Sequence, residues 1–195
     1  MDNLIKEMEL YAEEKNIPIM QKKGIDFLCK IISKSNSKNI LEIGTAIGYS
    51  AIKMALVNDD INVTSIERDQ DRYILALKNI KKAKLDKRIN VIFTDALDIE
   101  LSDKYDLIFI DAAKGQYIKF FEKFKKNLNP GGVIISDNLS FHGLVEQKTR
   151  IESRNLRQLV GKIKKYIEFL ENNKEFKTKF YKVGDGIAVS IKKED

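Results

Sequence analysis

The chain predicts an α/β fold, a mostly parallel sheet with helices on both faces. Three observations carry this. Short apolar runs alternate with stretches of helical spacing between residues 39 and 172, the pattern of repeated βαβ units. Four of those runs end in an acid: Glu67, Asp95, Asp111 and Asp137. The first run leads straight into a glycine turn and a helix, NILEIGTAIGYSAIKMA over 39–55.

A length of 195 residues with 43% hydrophobic side chains suits one domain, 1–195, with a full core. The N-terminal helices, 1–33, would pack on that core or extend it. Leu4, Ile5, Met8 and Tyr11 form the stripe of the first helix, which Pro18 ends. Ile25, Leu28, Cys29 and Ile32 are spaced for a second helix over 21–33. Strands follow at 39–43, 62–67, 89–93, 105–110 and 133–136. Between them lie helices at 49–56, at 69–84 with Tyr73, Leu77 and Ile80 inward, and at 114–128 with Tyr117, Phe120, Phe121 and Phe124 inward. Asn129-Pro-Gly-Gly132 reads as a turn. A long helix over 149–172 carries an apolar stripe from Leu156 to Leu170. Residues 176–182 and 187–191 alternate as strands joined by the hairpin Val183-Gly-Asp-Gly186, so the sheet ends in an antiparallel pair.

Composition removes several classes. No segment is long and apolar enough to span a bilayer, and the acidic, amphipathic N-terminus does not suit a signal peptide. A single cysteine, Cys29, rules out an internal disulfide and a multi-cysteine zinc site. A cytoplasmic location is the expectation. A net charge of +6 permits an acidic partner such as RNA, and equally describes a lysine-rich solvated surface.

The chemistry sits at the strand ends, where open parallel sheets bind ligands. Gly44 and Gly48 allow a sharp turn and a close approach to a ligand, and the helix start behind them favours an anionic group. With two glycines rather than three, the turn fits a nucleotide-like ligand better than a nicotinamide fingerprint; the alternative is a generic strand-to-helix turn. Glu42, a charge inside the first strand, calls for a cationic or N–H partner. Glu67 lies 23 residues after Gly44, the place of a ribose-binding acid. Asp95 would lie near the base, or cap a helix. Asp111, Asp137 and Asn138 offer hard oxygens suited to Mg2+, Mn2+ or Ca2+; the alternative is one cap and one salt bridge. Lys114, three residues past Asp111, is either a general base beside that cation or a solvent-facing lysine.

LEIGTAIGYSAIKMA, SIERD, TDAL, DLIFIDAAKGQY, NPGGVIISDN and GDGIAVS together resemble the class I S-adenosylmethionine-dependent O-methyltransferases. More narrowly, they resemble the cation-dependent branch of catechol and caffeoyl-coenzyme A enzymes. The likeness runs from about Ile17 to Ile191. It implies a Rossmann-like, seven-stranded sheet in the order 3-2-1-4-5-7-6. It implies that Glu42, Gly44, Ala46, Gly48 and Ser50 hold the methionine part of S-adenosylmethionine, with Ser50 near its carboxylate. Glu67 would bind the ribose and Asp95-Ala96 the adenine. Asp111 would serve both the cofactor and, with Asp137 and Asn138, Mg2+. Lys114 and Asp111 become the catalytic pair, with Lys114 or water removing the acceptor proton before in-line attack on the sulfonium methyl. The sequence departs from the catechol enzymes at Ala46 and Ala112-Ala113, where they carry larger side chains, and the N-terminal region is short for a lid.

Within the branch, DNLSFHGLV and the basic helix after it resemble bacterial enzymes that convert tRNA 5-hydroxyuridine to 5-methoxyuridine at the wobble position. The 5-hydroxyl and 4-carbonyl of that base are vicinal oxygens, able to chelate a metal as a catechol does. Arg150, Arg154 and Arg157 share a helix face that Lys164 and Lys165 extend, a candidate phosphate contact for an anticodon loop. Phe141 or His142 could meet a splayed base. The expected partner is the tRNA anticodon loop or a small catechol-like molecule, with no membrane; family likeness also implies a homodimer. Two other classes stay open: a nicotinamide oxidoreductase and a non-catalytic RNA-binding module.

Overall fold

A computed structural model describes residues 1–140, 143–145 and 152–193. One sheet of seven strands runs through it in the order β3-β2-β1-β4-β5-β7-β6. The strands are β1 (Asn39–Ile43), β2 (Asn62–Glu67), β3 (Ile89–Phe93), β4 (Tyr105–Ile110), β5 (Leu128–Ser136), β6 (Phe176–Tyr181) and β7 (Ile187–Lys192). The first five pair in parallel, and β7 lies antiparallel between β5 and β6. The helices are α1 (Asp2–Glu14), α2 (Lys22–Ser35), α3 (Tyr49–Ala55), α4 (Gln70–Lys82), α5 (Tyr117–Phe124) and α6 (Arg154–Glu171).

Strand side chains alternate between faces, and the core divides accordingly. Ile40, Leu107, Phe109 and Ile135 join α1 to α4 in one apolar cluster. Leu41, Ile43, Ile108, Ile110 and Ile134 join α5 and α6 in the other. Being covered on both sides explains why the central strands read as unbroken apolar runs. Among the described residues, no helix is long and apolar enough to cross a membrane.

The structure redraws several elements. α1 turns Ala12 inward, leaving Tyr11 40% exposed. α4 is capped by the Asp69 carboxylate, which accepts the Arg72 N–H at 3.0 Å. Its inner stripe is Ala76, Asn79 and Ile80, so Leu77 lies outward at 40% exposure. The stretch from Lys114 is a 3-10 turn over Lys114–Gln116, then α5, then a second 3-10 turn over Lys125–Asn127. The expected turn at Asn129–Gly132 is an irregularity inside β5: the β4 register passes from Tyr105↔Leu128 to Leu107↔Val133, with Gly131 at φ +70°. The proline and glycines bend the strand without ending it. α6 begins at Arg154 behind the cap Ser153; the expected start at Thr149 lies outside the described residues.

Register sets the site. Ile66, Ile43, Ile110 and Ser136 face one another across β2, β1, β4 and β5. The next residues, Glu67, Gly44, Asp111 and Asp137, therefore stand in a row at the carboxyl edge. The ladder continues into that row: Gly44 N donates to Ile66 O at 3.0 Å, Asp111 N to Ile43 O at 3.0 Å, and Asp137 N to Ile110 O at 3.2 Å.

Phe121 is fully buried and meets Phe169 and Phe176 edge-on, with ring centroids 5.3 and 4.9 Å away. Phe121→Ala should destabilise the fold by about 3–5 kcal/mol, read as a lower urea midpoint with an unchanged slope.

Candidate active site

A cavity of about 300 Å³ opens at this edge, within the range of small-molecule sites. One half is built by the turn after β1. Gly44 has φ +100°, and a Cβ there would lie 2.3 Å from the Asp111 carbonyl oxygen; only glycine lets the two turns touch. Gly48 at φ +85° opens α3. Glu67, 7% exposed, holds this turn to the next strand. Its Oε2 accepts the Ala46 N–H at 2.8 Å, and its Oε1 accepts those of Arg68 and Asp69 at 3.0 and 2.9 Å.

Glu42 is fully buried. The expected cationic or N–H partner is replaced by hydroxyls: Ser50 donates to Oε1, and Ser65 donates to Oε2 at 2.5 Å. Thr45 and Ser65 share a further hydrogen bond of 2.6 Å. Burial pushes the Glu42 carboxyl up to about 7, against the pull of both serines, with Asp111 and Glu67 adding to the rise. The Ser50 proton is thus directed at Glu42. Asp95 caps its own turn, Oδ1 accepting the Leu97 N–H at 2.9 Å, and pairs with Arg68 at 3.1 Å. The Leu97 bond, ahead of Arg68, holds its carboxyl below the usual range. Asp95 and Ala96 both line the cavity.

The other half gathers Asp111, Asp137 and Asn138, which all line the same cavity. Asp137 is 4% exposed. Burial first, then the Asp111 charge, raises its carboxyl to about 8. Burial likewise raises Asp111, against the opposing charge of Lys114, whose Nζ lies 4.0 Å from Oδ1. Asn138 adopts a left-handed backbone at φ +67°. Asp137 Oδ1 and Asn138 Oδ1 are buried without any hydrogen-bond partner, two of four such side-chain atoms among the described residues. Adjacent unpaired oxygens beside a second carboxylate fit a hard divalent cation, which would supply the missing partner and reverse the carboxyl repulsion. Among the described residues no three His, Cys, Asp or Glu side chains form a metal cluster, so the third donor would be the Asn138 amide.

Lys114 lines the cavity with 16% of its side chain exposed, so it is not a solvent-facing lysine. Arg154, Arg157, Lys164 and Lys165 are exposed on α6, and Arg157 donates to the Glu152 carbonyl at 2.6 Å. Arg150, Phe141 and His142 lie outside the described residues. Sequence reasoning missed three parts of the wall. Met20 and Gln21 come from the segment that Pro18 breaks, Arg72 from α4, and Asp185 from the hairpin. The Val183-Gly-Asp-Gly186 hairpin was the available signal for Asp185.

Gly44→Ala should abolish turnover and lower stability by at least about 2 kcal/mol, measured by cofactor calorimetry and urea melts. Because the folded state holds the Glu42 proton more tightly, its contribution to stability falls as pH rises from the ordinary carboxyl range through about 7. Glu42→Gln should remove that slope, so variant minus parent stability grows over this window and flattens above it. Urea melts at pH 5, 6, 7 and 8 check this.

Comparison with known proteins agrees with this geometry. A family model described as O-methyltransferase matches residues 1–193. Tapetum-specific methyltransferase 1 of Arabidopsis thaliana is 33% identical over 90% of this chain and 77% of its own. A caffeoyl-CoA O-methyltransferase of Populus kitakamiensis is 30% identical over 84% of this chain and 73% of its own. The crystal structure of an O-methyltransferase from Bacillus cereus in complex with S-adenosylhomocysteine superposes with a TM-score of 0.84 at 28% identity, covering 99% of this chain and 92% of that one. A Staphylococcus aureus structure assigned provisionally as a caffeoyl-CoA O-methyltransferase reaches 0.93 at 39% identity, covering 97% and 92%. The chain belongs to the O-methyltransferase family, enzymes that transfer the methyl group of S-adenosylmethionine to an oxygen atom.

Proposed function

We propose that this protein is a divalent-cation-dependent O-methyltransferase whose acceptor presents two vicinal oxygens, and that this acceptor is 5-hydroxyuridine in tRNA. The observation that carries the first part is the pair of buried, partnerless oxygens on Asp137 and Asn138, in the same cavity as the Gly44 turn. Asp111, Asp137 and Asn138 would hold the cation. When bound, it supplies Lewis acidity that lowers the pKa of the acceptor hydroxyl.

The chain's own residues do the rest. The Gly44 turn and Glu67 orient S-adenosylmethionine. Lys114, beside Asp111, takes the hydroxyl proton at Nζ in its neutral amine form, or water takes it. The acceptor oxygen then forms its bond to the methyl carbon as the carbon–sulfur bond breaks, and that electron pair stays on sulfur. Neighbouring strands are about 4.8 Å apart, so the glycine turn and Asp111 stand one strand spacing from each other. Positioning of this kind is a large part of methyl-transfer catalysis.

Two observations support the RNA acceptor: the net charge of +6 and the exposed Arg154, Arg157, Lys164 and Lys165 on α6. A catechol-like acceptor is favoured by the caffeoyl-CoA relative at 30% identity. One experiment separates them. The protein, S-adenosylmethionine and Mg2+ are incubated with tRNA from cells lacking it, and in parallel with caffeoyl-CoA and catechol, and products are read by mass spectrometry. The expected product is 5-methoxyuridine; methylated catechols with no 5-methoxyuridine would overturn the RNA reading. Chelation by EDTA should abolish turnover and added Mg2+ restore it. Asp137→Ala should lower kcat/KM at least about 100-fold, roughly 2.7 kcal/mol of transition-state stabilisation.

A further inference from the structure

Tyr117 opens α5 and is 1% exposed. The other inward aromatics of that helix, Phe120, Phe121 and Phe124, fill the core with bare rings. Tyr117 alone among these four adds a hydroxyl, and it donates to the main-chain carbonyl of Asp137 at 3.0 Å. Asp137 N meanwhile donates to Ile110 O at 3.2 Å. The residue is therefore gripped at both backbone groups, although it stands just past the end of β5.

The neighbouring residue is held by a second tyrosine. Tyr166 of α6 shares a 2.6 Å hydrogen bond with Ser136 Oγ. The rings of Tyr117 and Tyr166 meet edge-on, 5.2 Å between centroids at 78°. Two consecutive residues, Ser136 and Asp137, are thus anchored by two tyrosines that buttress each other.

We infer that Tyr117 is a positioning residue for the cation site: its hydroxyl pins the Asp137 carbonyl, fixing the peptide that leads into left-handed Asn138 and aiming both side-chain oxygens into the cavity. Asparagine enters the left-handed region readily, as Asn16 and Asn36 also do here, so that backbone conformation alone does not fix the aim of Asn138. Freeing the Asp137 carbonyl lets the 137–138 peptide rotate, and the two donors lose their shared aim. Outer groups that orient metal ligands commonly change metal affinity 10- to 100-fold when removed. A hydroxyl that merely satisfied a buried carbonyl would change stability and leave affinity alone.

The inference rests on the cation-dependent reading, and the test separates the two. Mn2+ binding to the parent and to Tyr117→Phe is measured by electron paramagnetic resonance, without substrate, alongside thermal melts of the metal-free proteins. The expected result is at least about a tenfold weaker Mn2+ Kd in the variant. The apparent KM for Mg2+ should rise by a similar factor, while kcat at saturating Mg2+ and the KM for S-adenosylmethionine stay within about threefold. Incorporating 4-aminophenylalanine at 117, which restores a donor, should recover at least half of the lost affinity on a logarithmic scale. Equal Mn2+ affinity in parent and variant would overturn the role of Tyr117. So would a variant that fails to fold without metal, since the hydroxyl would then be a requirement of the fold. A parent that binds no Mn2+ would overturn the cation reading itself.

Discussion

The structure depends on one close approach: the Gly44 turn against the backbone of Asp111. A Cβ at position 44 would be 2.3 Å from the Asp111 carbonyl oxygen, a distance that no side chain tolerates. That absence of atoms lets the turns after β1 and β4 lie flat on each other at the sheet edge. Both turns line the cavity. The sheet register then places Glu67 on one flank of this contact and Asp137 on the other. The remaining groups of the site are arranged outward from it.

The edge is electrostatically expensive, and the expense is uneven. Backbone N–H groups bond the carboxylates of Glu67 and Asp95. At Glu42, Asp111 and Asp137 burial prevails and raises the carboxyl. Buried unpaired oxygens and crowded carboxylates lower the stability of a fold. Here Asp111, Asp137 and the unpaired oxygens of Asp137 and Asn138 meet in one cavity. This is the expected signature of a site shaped for something positively charged, and strain concentrated at function is a general pattern.

The sheet and its acids were legible because their signals are local. Apolar runs, Gly44 and the carboxylates at four strand ends all sit within a few residues of the feature they encode. The seven-stranded order came from family likeness rather than from spacing. What escaped was non-local. Leu77 satisfies a helical stripe as well as Ala76 does, and only the packed sheet decides between them. Asn129–Gly132 carries every turn residue, yet pairing with β4 keeps it within the strand. The hydroxyl partners of Glu42 come from α3 and β2, eight and twenty-three residues away. Asp185 enters the cavity from the β6–β7 hairpin, its carbonyl accepting from Ser140 N at 2.7 Å; the hairpin is readable in the sequence, the sheet edge it folds toward is not.

The row of residues at the sheet edge has a consequence for how such an enzyme diversifies. The spacing of the residues in that row is ruled by the lattice of a hydrogen-bonded sheet, which sequence drift elsewhere cannot stretch. The Met20–Gln21 segment and the Asp185 hairpin, in contrast, belong to connections outside that lattice. A lineage can therefore rewrite those walls while the row at the sheet edge keeps the same stride.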